Sequence, residues 1–290
     1  MPPEVTLANL ATLLVSCPDR RGIVATLAQA LYGHGANILD SDQHSDPEAK
    51  QFFQRIRFDL SELHTDRGSL ERALAEVAGR FQMSYRLSYA DHRKRVALFV
   101  SKYDHCLYDL LLRRQAGELA CDIALIVSNH EDLAPVAKQF GVPFHVVPIS
   151  KDNKEAQEQR ELDLLSSERI DLVVLARYMQ ILSAAFVSQL AGRIINIHHS
   201  FLPAFVGGKP YHQAYERGVK LIGATAHYVT GNLDEGPIIE QDVVRCSHRD
   251  LVEDLARKGR DLEKVVLARA LRWHLDDRVL AYGNKTVVFD

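Results

Sequence analysis

Asn196 and His198 stand two residues apart in the run Ile194-Ile195-Asn196-Ile197-His198. In an extended chain residues i and i+2 point the same way, so both polar side chains share one side. A histidine exchanges protons near neutral pH, and an Asn amide can donate to an oxygen as it gains negative charge. The pair therefore suits addition to a carbonyl carbon. Asp234 lies in the Gly/Pro-bounded loop from Thr230 to Pro237. If it meets His198, it fixes the ring's tautomer and raises its basicity. His227, on the strand pattern before that loop, either contacts the same centre or packs beside it. Residue types alone leave a plainer alternative open, in which Asn196 caps a turn, His198 and His199 are surface histidines and Asp234 forms a turn.

The elements around these residues follow from periodicity. After Arg95, short apolar runs at Val96–Val100, Ile123–Val127, Val146–Val147, Ile170–Leu175 and Ile194–Ile197 alternate with helical patterns. Among these, Ser183 is placed to cap the helix that runs to Leu190. Wholly apolar strands alternating with helices predict a Rossmann-like α/β domain, a mostly parallel sheet with helices on both faces. Working residues of such sheets collect beyond the carboxyl ends of the strands, where Asn196-Ile197-His198 and Arg177-Tyr178-Met179 fall. Strands are also expected at Ala224–Val229, Ile238–Val244 and Lys285–Phe289. Ser247 with Asp250 resembles a capping box that opens a charged helix, and Leu262, Val266, Ala270 and Trp273 face one way on the next.

The first ninety residues have a different rhythm. A strand at Thr12–Val15 leads through Pro18-Asp19-Arg20-Arg21-Gly22 into a helix carrying Ile23, Leu27 and Leu31. Ile56, Phe58 and Leu60 then alternate with Arg55, Arg57 and Asp59, which predicts one dry face and one wet one. Leu70, Leu74, Val77, Ala78 and Phe81 keep helical spacing before a last strand at Met83–Tyr89. The sum is a ferredoxin-like βαββαβ unit over residues 1–90, a charged linker at 91–95, and the α/β domain over 96–290.

Composition excludes several classes. A net charge of -3 argues against a dedicated nucleic-acid binder. No apolar stretch approaches a membrane span, and the N-terminus lacks the pattern of a signal peptide. Four scattered cysteines without a CxxC pair fit a reducing compartment, and a cytoplasmic location is expected. The thirteen histidines form no short-spaced ligand cluster, so no metal is expected.

Longer strings carry a resemblance. Asn196 to Phe205, Gly207-Gly208, the helix start Pro210-Tyr211-His212-Gln213-Ala214, Gly223 to Val229 and Leu233 to Ile239 resemble the signature of the folate-dependent formyltransferase superfamily. Within it they resemble the formyltetrahydrofolate deformylase family. The first unit, with Pro18 to Ala25, resembles the small regulatory ACT domain found in that family. The resemblance implies a hydrolase of one-carbon metabolism and purine biosynthesis that converts 10-formyltetrahydrofolate to formate and tetrahydrofolate, with no tightly bound cofactor. It implies catalytic positions at Asn196, His198 and Asp234.

Ala176 to Leu182 resembles the family's folate-binding segment, in which Arg177 and Tyr178 stand. Its backbone would read the pterin, while Met179, Ile181 and Leu182 supply apolar walls; for Arg177 a surface position is an equal expectation. The loop bearing Thr230 and Leu233 would close over the same ring. Superfamily members that formylate a phosphorylated acceptor carry a glycine-rich turn after the first strand. Here that place reads Ser101-Lys102-Tyr103-Asp104-His105-Cys106, without glycine, which implies water as acceptor, with Lys102 and His105 lining the vacated side. Asp19, Arg21, Gly22 and Ile23 would form an amino-acid effector pocket, and pairing of ACT-like sheets implies a homodimer or homotetramer. Two alternatives are transfer of the formyl group to an amine and a catalytically silent regulatory protein.

Overall fold

Ala11, Leu13, Val15 and Cys17 alternate along β1 (Leu10–Pro18) and turn to one side. There they meet Ile23, Leu27 and Leu31 of α1 (Ile23–Gly33) and Leu70, Leu74 and Phe81 of α2 (Arg67–Phe81). The structure is a computed structural model that describes residues 7–203 and 210–290, so Ala204, Phe205, Gly207 and Gly208 of the motif strings lie outside the described residues. The chain divides into two compact units. The first runs to Arg93 and includes Asp277–Leu280 and Val287–Asp290; the second is Lys94–Asp276 with Ala281–Thr286.

In the first unit β2 (Asn37–Asp46), β3 (Gln51–Asp59) and β4 (Ser84–Tyr89) complete an antiparallel sheet of order β2-β3-β1-β4. One expectation fails on β3. Of the expected polar row only Arg57 is exposed, while Arg55 and Asp59 are buried. For Arg55 the reason is the returning tail, which the sequence pattern put wholly with the second domain, while Asp59 turns back to accept from Ser61. The Asp277 carbonyl accepts from Arg55 Nε at 3.0 Å, the Asp277 carboxylate pairs with Arg86 at 3.3 Å, and Asp40 pairs with Arg55 at 3.0 Å. A buried guanidinium needs such partners, because its desolvation is otherwise costly.

The second unit is built from β5 (Lys94–Val100), α3 (His105–Gln115), β6 (Cys121–Ser128), α4 (Ala134–Gln139), β7 (Phe144–Val146), α5 (Lys154–Ser167), β8 (Leu172–Leu175), α6 (Ala184–Gln189), β9 (Ile194–His198), α7 (Pro210–Arg217), β10 (Leu221–Tyr228), β11 (Ile238–Arg245) and α8 (Val252–Leu275). Its sheet has the order β11-β10-β9-β8-β5-β6-β7. Strands β5 to β9 are parallel, whereas β10 runs antiparallel to β9 and β11 antiparallel to β10. Strand order reverses between β5 and β8, and in an open parallel sheet that reversal opens a crevice at the carboxyl ends. Ser183 does cap α6, accepting the Phe186 N–H at 3.1 Å.

The region after β11 departs from expectation. Ser247 and Asp250 bond to each other in a turn, and the helix begins at Val252 with Asp254 accepting the Leu251 N–H. It then runs unbroken to Leu275, so the two expected helices are one. A hairpin of β12 (Val279–Tyr282) and β13 (Lys285–Val288) ends the chain. Among the described residues no helix is long and apolar enough to cross a membrane.

Candidate active site

β9 and β10 set the centre by register. His227 of β10 lies directly opposite Asn196 of β9, and Thr225 opposite His198. With a period of two on each strand, all four side chains fall on one face. The Asn196 amide nitrogen is 3.2 Å from His227 Nε2, and His227 Nδ1 donates to the Tyr228 carbonyl at 2.9 Å. Thr225 is buried and holds the chain just after His198, accepting the Leu202 N–H and donating to the Ser200 carbonyl.

The loop after β10 delivers Asp234 to this face. Asn232 bonds the Glu235 carboxylate across the turn, and Asp234 adopts φ 56°, a left-handed conformation that Asp tolerates better than most residues. Gly236 permits the return, since a Cβ there would lie 1.7 Å from the Tyr228 carbonyl oxygen. The Asp234 carboxylate is 3.3 Å from His198 Nδ1 and 3.7 Å from His227 Nε2. Hydrogen bonding from His198, and then from His227, holds Asp234 well below the usual carboxylate range. His198 is 7% exposed, and its buried Nε2 has no protein partner among the described residues. Burial, reinforced by the charges of Arg177 and His198, lowers neighbouring His199 to about 4.

The segment after β8 sits at the strand-order reversal. Met179 and Ile181 are exposed, 55% and 62%, and Leu182 packs partly into the core beneath. Leu233 is 57% exposed on the Asp234 loop, where Thr230 bonds the Asn232 carbonyl. Tyr178 turns inward, its ring edge-on to Phe99 at 5.3 Å and its hydroxyl donating to Glu161. Arg177 also turns inward and is no surface residue. Its guanidinium covers the Tyr103 ring at 4.9 Å and its Nε lies 3.5 Å from Glu263. The Met179 N–H donates to Ser101 Oγ at 3.0 Å, and Ser101 in turn donates to Asn129 at 2.6 Å, tying together the turns after β5, β6 and β8.

Glu263 of α8 is a buried hub that sequence reading missed. It accepts from His105 Nε2 and from the Tyr211 hydroxyl, both at 2.8 Å, besides facing Arg177. Burial pushes its carboxyl up, but the His105 bond, the Arg177 charge and Tyr211 outweigh that, and Glu263 lies below its ordinary value. Gly259, one turn earlier, lets Tyr211 approach, since a Cβ there would lie 2.0 Å from the hydroxyl. Thus His105 is committed to Glu263, and Lys102 is exposed. His105, Cys106 and Glu263 bring ligand atoms within 4.8 Å of one another. Glu263 is already paired with Arg177, and burial raises the Cys106 thiol strongly, so this set suits an ion-pair network better than a metal. In the first unit Asp19 and Arg21 are exposed, Gly22 precedes α1 at φ 91°, and Ile23 is core.

Residues 94–271 match the formyl transferase family and residues 11–79 the ACT domain family, which defines the class: an ACT unit joined to a formyl transferase domain. A glycinamide ribonucleotide transformylase structure from Symbiobacterium toebii shares 32% identity with a TM-score of 0.65, covering 69% of this chain and 95% of its own. Agreement extends over nearly the whole chain for a second group. A Synechocystis formyltetrahydrofolate deformylase is 58% identical, covering 96% of this chain and 98% of its own. The crystal structure of a formyltetrahydrofolate deformylase from Pseudomonas syringae superposes with a TM-score of 0.95 at 49% identity, over 97% of this chain and 95% of that one. The chain belongs to the formyltetrahydrofolate deformylase family.

Proposed function

We propose that the second unit hydrolyses 10-formyltetrahydrofolate to formate and tetrahydrofolate, with Asn196, His198 and Asp234 as its catalytic residues and water as the formyl acceptor. The observation that carries this reading is the Asp234 carboxylate at 3.3 Å from His198 Nδ1, beside the Asn196 amide. The His198–Asp234 pair takes a proton from water as the water oxygen bonds the formyl carbon. Asp234, 3.3 Å from His198 Nδ1, orients the ring and steadies the imidazolium. The Asn196 amide donates to the oxyanion. Return of the proton to N10 breaks the C–N bond and releases tetrahydrofolate, with formate as the other product. No tightly bound cofactor takes part in these steps.

Exposed Met179, Ile181 and Leu233 are suited to flank a flat heterocycle, since exposed apolar side chains grouped on site loops favour a ligand. The glycine-free turn after β5, with Tyr103 over Arg177 and His105 on Glu263, supports water over a phosphorylated amine. Incubation with 10-formyltetrahydrofolate and no amine is expected to release formate stoichiometrically with tetrahydrofolate. Release that requires an added amine would overturn the reading in favour of a transferase. For the first unit, an amino-acid effector at the Asp19–Ile23 turn and assembly into a homodimer or homotetramer are the corresponding proposals. Formate release measured with single amino acids, and light scattering of the purified chain, test them.

A further inference from the structure

We propose that one face of α5, carrying Lys154, Glu158 and Glu161, positions the segment from Arg177 to Ser183 for folate, setting affinity without taking part in formyl chemistry. The proposal rests on reading that segment as folate-contacting. Positions i, i+4 and i+7 of a helix share a face. All three side chains reach the segment: Lys154 Nζ donates to the Ile181 carbonyl at 2.6 Å, Glu158 accepts the Ser183 N–H at 2.8 Å, and Glu161 accepts the Tyr178 hydroxyl at 3.0 Å. Ser101, in the turn after β5, accepts the Met179 N–H at 3.0 Å.

The arrangement is chemically unusual for a helix that faces a core. Glu158 and Glu161 are 5% and 0% exposed, on the same stripe as buried Leu165. The nearest cation to Glu158 is Lys154 at 3.9 Å, and one Glu161 oxygen has no partner among the described residues. Burying two carboxylates in this way costs stability that leucines would not, yet both direct acceptor atoms at the same short segment. That segment has no helix or strand of its own and must leave Met179 and Ile181 in water. Tyr178 and Leu182 anchor the segment in the core, and the polar struts add hold at the backbone around Met179 and Ile181, whose side chains no apolar packing covers.

The test is steady-state kinetics with 10-formyltetrahydrofolate, plus calorimetric Kd values for tetrahydrofolate, on Lys154→Met and Glu158→Leu with Lys154→Arg and Glu158→Gln as conservative counterparts. Lys154→Met and Glu158→Leu are expected to raise KM and Kd about tenfold while kcat stays within about twofold, and Lys154→Arg and Glu158→Gln to restore most of the affinity. Lys154 is partly exposed, so its variant folds, with Trp273 emission as the check. A parallel fall in kcat, or an unchanged Kd in folded Lys154→Met, would overturn the proposal. Ile181→Asp separates the two levels of inference. If it leaves Kd unchanged, the folate-contacting segment itself is misread; if it raises Kd while Lys154→Met does not, only the role of α5 falls.

Discussion

Glu161→Gln should change how the stability of the second unit depends on pH. Burial raises the Glu161 carboxyl from 4.5 to about 7, opposed by the Tyr178 hydrogen bond and helped by the charge of Glu158. Below pH 4.5 both folded and unfolded chains hold the proton. Between 4.5 and about 7 the unfolded chain gives it up while the folded chain keeps it, so stability falls as pH rises. At 1.36 kcal/mol per unit, the shift from 4.5 to about 7 corresponds to a loss of about 3 kcal/mol, complete above neutrality. Glutamine cannot ionise and retains an acceptor for Tyr178, so its contribution is flat. The single tryptophan, Trp273 on α8, makes urea unfolding of this unit directly observable. Wild type and variant measured from pH 5 to 8.5 should diverge steadily, the variant gaining relative to wild type up to about pH 7 and not beyond. A constant difference across that range, or one of opposite slope, would refute the assignment of a buried, protonated Glu161.

Three further outcomes follow from the site. Asp234→Asn keeps the side chain's shape but removes the charge beside His198; kcat should fall about 10²- to 10⁴-fold with tetrahydrofolate Kd little changed, read by formate release and calorimetry. Gly259→Ala gains roughly 1 kcal/mol of helix propensity but drives a methyl into Tyr211; net destabilisation of about 1–3 kcal/mol is expected in urea, and Tyr211→Phe should relieve part of it. Glu263→Gln leaves Arg177 buried opposite a neutral group and should cost about 3–5 kcal/mol, whereas adding Arg177→Met should recover stability, a coupling that a double-mutant cycle measures.

Much of the architecture is legible in the sequence, because each strand of the second unit is a short apolar run and each helix carries its own period. The nearness of Asn196, His198 and Asp234 is only half legible: strand alternation puts the first two on one face, but pattern alone leaves Asp234 as a plain turn former, and it is the motif strings around them that group the three. What escapes is long-range. Arg55 reads as solvent-facing because alternation reports one face as dry, and nothing local says that Asp277, over two hundred residues on, supplies its partner. Arg177 escapes in the same way, since its anion comes from α8. The unbroken α8 is missed because Ser247 and Asp250 mimic a cap while closing a turn before the helix, where Asp250 also accepts from Lys258 of α8 at 2.7 Å.

The missed acids nevertheless share a readable pattern. Glu158 and Glu161 fall on the buried stripe of α5 with Leu165, and Glu263 falls on that of α8 between Gly259 and Val266. An acid at the spacing of core residues is either an error of folding or a strut, because its desolvation must be offset by donors. In this unit three of the donors, Arg177, Tyr178 and Ser183, belong to the segment after β8, and the other two, His105 and Tyr211, stand in the first turns of α3 and α7. On the proposed function the segment after β8 stays open to folate, so apolar contacts can cover it from one side only. The two helices therefore hold it with buried acids, which on that reading lie beneath the folate-contacting segment.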